Sequence, residues 1–102
     1  MNYEEMSDDE INHEVAKHSF DAAWLERHYG KEGMTPDYCN NVEDAWPVIF
    51  ESGISLCKPN SYHDEWSCFC RDSVGFVSNI VYHERPLRAA MIVFLMMKDA
   101  EK

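Results

Sequence analysis

The spacing of hydrophobic and polar positions near the start of the chain predicts a helix from Asp8 to about Lys17. Ser7 followed three residues later by Glu10 is the capping-box pattern that marks a helix N-terminus. Ile11 and Val15 are four positions apart, which places both on one narrow apolar face. We therefore expect this helix to pack against the core through a single stripe.

The middle of the chain predicts a second helix after an irregular connection. Residues 19–41 are punctuated by glycine and proline, and we expect only a short helical piece near residues 21–28. A second helix is predicted to begin near Asn41 or Asp44, both acceptable N-caps, and to end before Gly53. Pro47 limits the choice between them, since a proline ring is tolerated in a first turn and disruptive later.

Three short segments are predicted to be strands, namely residues 54–57, 66–70 and 74–78, and residues 80–82 extend or follow the third. The first of them alternates apolar and polar residues with a period of two, as a half-buried strand does. Short links between them favour antiparallel pairing.

The last predicted helix starts at Pro86 and runs through Ala100, with no helix-breaking residue after its first position. Apolar residues surround most of its circumference, so we expect burial on more than one side. Ile92 and Met96 oppose the flank that is expected to face the sheet, and they require cover from another helix or from a second subunit. The sheet-facing flank is expected to be Leu87, Met91, Phe94 and Leu95.

The length and charge of the chain narrow the classes of function. The 102 residues fit a single domain over residues 1–102. The net charge is −10, and residues 1–51 carry all of it, with thirteen carboxylates against three cations. Such a surface repels phosphate backbones, so we expect no direct nucleic-acid binding and instead a basic protein partner or a soluble surface without a partner.

Neither a signal peptide nor a bilayer-spanning segment is expected. The N-terminus is acidic, and the longest apolar run, residues 89–97, is too short to cross a membrane. The predicted location is the cytoplasm, where the four cysteines are expected to stay reduced.

The cysteines and histidines are the residues whose side chains suit a metal site or nucleophilic catalysis. Zinc could be held by Cys68 and Cys70 with His63 and His83, and Cys57 is nearby, but buried thiols on a one-faced strand explain the pair equally well. Cys39 with a histidine could serve a small hydrolase, although no nucleophile motif surrounds it. We predict no metal, no cofactor and no catalytic residues.

A ligand-stacking surface is a further possibility, because it needs aromatic side chains beside cations. Each tryptophan is more simply explained as a core residue. The tentative residues for binding a ligand or partner are Tyr38, Asn40, Trp66, Arg85 and Arg88.

Several segments resemble the NinX-type proteins of lambdoid phages, which are similar to a broader set described as a phage α-β-α sandwich domain. The segments are the opening MNY, the helix at residues 7–15, DYCNN at 37–41, DAWPVI at 44–49 and PLRAAMIVFLMM at 86–97. The resemblance covers about half of the chain. It implies a phage or prophage accessory protein in the host bacterial cytoplasm. It also implies an α+β fold with helices on both faces of a small antiparallel three-stranded sheet.

These observations favour a non-catalytic accessory protein that acts by binding and thereby inhibits a host process or defence system. In one version the acidic half binds a basic host protein as a DNA mimic does. The alternative is sequestration of a small nucleotide-like ligand by Arg85, Arg88 and Trp66, and a cysteine-dependent hydrolase ranks last. A homodimer is possible through the last helix.

Overall fold

A computed structural model describes residues 3–19, 36–62, 64–71 and 74–100 of the chain. The helix predicted near residues 21–28 lies outside these residues. The elements, in order, are a short 3-10 helix at Tyr3–Glu5, α1 at Asp8–Ser19, α2 at Val42–Ser52, β1 at Ser55–Cys57, β2 at Trp66–Arg71, β3 at Val77–His83 and α3 at Pro86–Ala100. Strand β3 includes residues from both predicted segments, 74–78 and 80–82, and it begins at Val77 rather than at residue 74.

The capping box predicted at the start of α1 is confirmed. The Glu10 amide donates to Ser7 Oγ at 3.1 Å, and the Ser7 amide donates to Glu10 Oε1 at 3.2 Å. Ile11 and Val15 are fully buried, as the predicted stripe requires. The helix continues to Ser19, two residues beyond the predicted end.

Helix α2 begins at the earlier of its two possible caps. Asn41 Oδ1 accepts a hydrogen bond from the Glu43 amide at 2.9 Å, whereas Asp44 accepts one from the Asp37 amide at 3.0 Å. Because the helix starts at Val42, Pro47 lies inside it, beyond the first turn in which a proline ring is tolerated best. The predicted end at Gly53 is confirmed, since this glycine adopts a left-handed conformation with φ of 68°.

The strands form an antiparallel meander in the order β1-β2-β3, as predicted. Cys68 lies at its centre, opposite Leu56 of β1 and Val81 of β3. The register between β2 and β3 shifts beyond this point. At the shift, Asn79 has a φ of 54° and donates from Nδ2 to Cys70 Sγ at 3.3 Å. This irregularity is typical of a β-bulge.

Helix α3 is the centre of the molecule, and residues 88–95 are all buried. It packs on β2 and β3 with one side and on α1 and α2 with the other. The predicted α+β class with three helices and a small three-stranded antiparallel sheet is therefore confirmed. A helix that is apolar all round needs cover on two sides, and α1 and α2 provide the second.

Two details follow from this central position. Phe94, expected to face the sheet, instead packs edge-on against His18 of α1, with ring centroids 6.2 Å apart. Of the two residues expected to need cover, Ile92 is buried within one chain and Met96 is partly buried against the core. On the outer face of the sheet, Ile80 and Tyr82 remain nearly half exposed.

In the described part of the chain, no helix is long and apolar enough to cross a membrane.

Candidate functional site

The N-terminal ends of the three helices meet at one end of the molecule. Asp8 is the first residue of α1, Asn40 precedes the cap of α2, and Arg85 precedes α3. Arg85 Nη2 donates both to Asp8 Oδ2, at 2.7 Å, and to Asn40 Oδ1. The helices therefore run in a common direction, and their N-terminal dipoles point at the same region.

Asp8 forms the centre of this region. Arg85 binds it with two parallel hydrogen bonds, the second joining Nη1 to Oδ1 at 3.1 Å. Hydrogen bonds from Arg85 and then from Arg88 and Asn40 lower the pKa of Asp8 from 3.8 to about 2, against the opposing effect of burial. The same contact raises the pKa of Arg85. The ion pair is thus fully charged at neutral pH.

Arg88 has a structural role in the same cluster. Its side chain is only 8% exposed, and its Nη1 donates to Asp8 Oδ1 at 2.6 Å. Its Nη2 donates to three backbone carbonyl oxygens of the N-terminal segment, those of Tyr3, Glu4 and Met6. Arg88 therefore fixes the N-terminal segment onto α3 and carries a buried charge that Asp8 neutralises.

The turn at residues 37–40 is held to α1 by a second set of hydrogen bonds. The buried Asn12 donates from Nδ2 to Asp37 Oδ1 at 3.0 Å and accepts from the Cys39 amide at 3.1 Å. Asn40 Nδ2 donates to Asp37 and to Asp8. All three helix starts are consequently cross-linked by polar contacts.

The structure brings together three of the five tentative binding residues, namely Asn40, Arg85 and Arg88. Tyr38 is buried in the core beside them. Trp66 lies opposite His83 in the sheet, and His83 Nδ1 accepts a hydrogen bond from the Arg85 amide at 3.0 Å.

Sequence reasoning missed the central member of this cluster. The sequence places Asp8 at the predicted start of α1, but nothing local in it indicates that two arginines some eighty positions away converge on it. Asn12 and Asp37 were missed for the same reason.

The contacts of the two arginines weigh against a nucleotide site. Arg88 uses both terminal nitrogens on protein oxygens, and Arg85 is paired with Asp8. A phosphate would have to displace the Asp8 carboxylate, which Arg85 already binds through bidentate hydrogen bonds.

The cysteines do not resemble activated nucleophiles. Cys39 is buried, and burial together with the nearby charge of Asp8 raises its pKa to about 12. Burial likewise raises the pKa of Cys68 to about 12, and its Sγ lies 3.6 Å from the Pro86 carbonyl oxygen. Among the described residues no three histidine, cysteine or acidic side chains are grouped as metal ligands, and His63 lies outside them.

The three helix starts together form a strongly acidic surface, which we call the acidic end. Its carboxylates belong to Glu4, Glu5, Asp8, Asp9, Glu10, Asp37, Glu43, Asp44 and Glu84. Against nine carboxylates, Arg85 and Arg88 leave a net charge of −7. Each helix start contributes only about half a positive charge, so the dipoles do not cancel this excess.

A cavity of about 330 Å³ lies near the opposite ends of the helices. His18 of α1, Glu51 of α2 and Phe94 of α3 line it, and the Lys98 ammonium stands 5.4 Å from the centre of the Phe94 ring. The aromatic face is thus already occupied by a cation of the protein itself.

The family model described as Bacteriophage P22, NinX matches residues 2–98, which is almost the whole chain. The chain belongs to this family of phage proteins. No curated protein and no solved structure is significantly similar to it.

Proposed function

We propose that this phage NinX-family protein acts in the host cytoplasm by non-catalytic binding, with its acidic end docked on a basic surface of a host protein. Such a surface includes one that otherwise holds nucleic acid, so that occupying it inhibits a host process such as a defence system. The observation that carries the proposal is the net charge of −7 gathered where three helices start.

Among the described residues, the carboxylates that would contact the partner do not form ion pairs with the protein's own cations. In the described part of the chain, Glu5, Asp9 and Glu43 are exposed and have no ion-pair partner. Asp8, in contrast, is committed to Arg85 and Arg88. We therefore assign Asp8 to holding the helix starts together and the exposed carboxylates to binding.

A cross-linked scaffold suits this role because charges on fixed helix starts lose little freedom on binding. Like charges held together also produce a field that accelerates encounter with a basic surface. The alternatives lack comparable support. A nucleotide would compete with Asp8 for both arginines, and a hydrolase would need a thiolate at Cys39.

The test is affinity capture from infected host cells with the wild-type chain and two charge-matched variants. Glu5→Gln with Asp9→Asn removes two charges at the acidic end, and Asp64→Asn with Glu65→Gln removes two exposed charges elsewhere. We expect a specific host protein with a basic surface to be captured by the wild type and the second variant, and to be lost or weakened with the first. Equal capture by both variants would contradict the proposal.

A further inference from the structure

Helix α2 carries an exposed row of large apolar side chains, which we call the α2 ridge. It consists of Val42, Trp46 and Phe50, which are 58%, 57% and 73% exposed. The four-residue spacing places them on one line along the helix surface, and the Trp46 and Phe50 rings are in contact, with centroids 6.3 Å apart. The buried face of α2 is a different one, formed by Ala45, Val48 and Ile49.

A row of carboxylates runs beside the ridge. Glu43 and Glu51 are both exposed and each lies one position after a ridge residue, so that they flank it with Pro47 between them. Helix α2 contains no lysine or arginine over its whole length. The helix thus combines an apolar row with an acidic row that has no cation on the same helix, although Lys98 of α3 lines the same cavity as Glu51. Its N-terminal turn belongs to the acidic end.

The combination of an apolar row and an acidic row limits which kind of molecule can bind to this face of α2. A second copy docked by a two-fold axis near Trp46 would bring Glu43 of one chain opposite Glu51 of the other. Each chain also carries a net charge of −10, so the like charges oppose self-association through this face. A partner with apolar and basic residues on the same face can pack its apolar side chains on the ridge and pair its basic side chains with the carboxylates.

We propose that the α2 ridge is the docking surface for a basic amphipathic helix of the bound partner. The proposal rests on the proposed function and specifies which part of the partner is recognised. Trp46 and Phe50 insert between the apolar side chains of that helix, and its lysine or arginine residues face Glu43 and Glu51. Exposed tryptophan and phenylalanine at the centre of a contact supply most of its affinity, while the charges set the orientation.

The probe is a labelled synthetic helix of about four turns with leucine along one face and lysine on the rest. Two matched peptides replace either the leucines by serine or the lysines by glutamate. Fluorescence anisotropy measures the affinities, and amide chemical shifts locate the contact. We expect the leucine–lysine peptide to bind at least about tenfold more tightly than either control and to shift the amides of Val42–Ser52.

Variants then separate this surface from non-specific attraction. Trp46→Ala and Phe50→Ala should each weaken the peptide at least about tenfold, whereas Phe76→Ala should leave the affinity unchanged. Phe76 is a matched control because its exposure is the same 73% as that of Phe50. Equal effects of Phe50→Ala and Phe76→Ala would overturn the proposal, as would a wild-type dimer that Phe50→Ala converts to a monomer.

The outcomes also distinguish this proposal from the proposed function. Host-protein capture that needs Glu5 and Asp9 but tolerates loss of Trp46 and Phe50 would leave the acidic end in place and overturn the ridge. Peptide binding that needs Trp46 and Phe50, alongside capture that ignores Glu5 and Asp9, would support the ridge and contradict the acidic end as the binding surface.

Discussion

Arg88 of α3 donates to Asp8 of α1 at 2.6 Å, across eighty positions of sequence. The arginine is buried, while the aspartate side chain is 28% exposed and also binds Arg85. One carboxylate therefore binds two guanidinium groups and joins the start of the first helix to the start of the last. The acidic surface that we assign to binding is built around this contact.

Replacing Asp8 should destabilise the fold much more than replacing its neighbour. Asp8→Asn removes the charge that compensates the buried Arg88, and we expect a loss of about 2 kcal/mol in the free energy of unfolding. Asp9→Asn removes an exposed charge from the same turn and should cost no more than about 0.5 kcal/mol. Urea denaturation measures both, and equal losses would mean that the Asp8 pair contributes little.

The same pair predicts a specific pH dependence. The pKa of Asp8 is lowered to about 2 in the folded protein from 3.8. A carboxyl with a depressed folded pKa contributes stability that is fully present above its unfolded pKa and is lost as the pH falls towards the folded one. The difference in unfolding free energy between wild type and Asp8→Asn should therefore shrink between about pH 4 and pH 2. A difference that stays constant over that range contradicts the assignment.

The cap of α1 makes a separate contribution. Ser7→Ala removes the acceptor of the Glu10 amide and should lower the free energy of unfolding by about 1 kcal/mol. Ser61→Ala, in an exposed loop, is the control and should have no measurable effect. An unchanged unfolding midpoint for Ser7→Ala would show that the helix start does not depend on this cap.

Thiol reactivity should single out one cysteine. Cys57 is exposed, whereas Cys39, Cys68 and Cys70 are buried. At about pH 8 a thiol reagent should modify Cys57 alone in the folded protein and all four cysteines after denaturation. Cys57→Ser should abolish the reaction of the folded state. Rapid modification of Cys39 would contradict both its burial and its raised pKa.

The parts of the fold that depend on local signals were predictable from the sequence. The Ser7 cap, the Gly53 terminus and the two-residue alternation of the strands each depend on neighbouring residues. The all-round apolar character of α3 likewise predicted its burial. The choice between Asn41 and Asp44 as the cap of α2 was left open, because both residue types cap helices and only the contact with the Asp37 amide separates them.

The parts that depend on distant contacts were not predictable. Phe94 faces α1 rather than the sheet because α3 is covered from two sides, and its own sequence does not mark which side is which. Arg85 and Arg88 were proposed as ligand-binding cations, since nothing near them in sequence indicated that Asp8 binds both. The candidate site could therefore be located only in part before the fold was known.

The central claim, that the acidic end binds a basic protein surface, is tested most directly by the salt dependence of the affinity for the captured host protein. We predict that Kd rises at least about tenfold between about 50 and 200 mM salt, because exposed charges are screened over this range. Glu5→Gln with Asp9→Asn should flatten this dependence, and Asp64→Asn with Glu65→Gln should not. A Kd that is independent of salt, or equally dependent in both variants, would contradict the account.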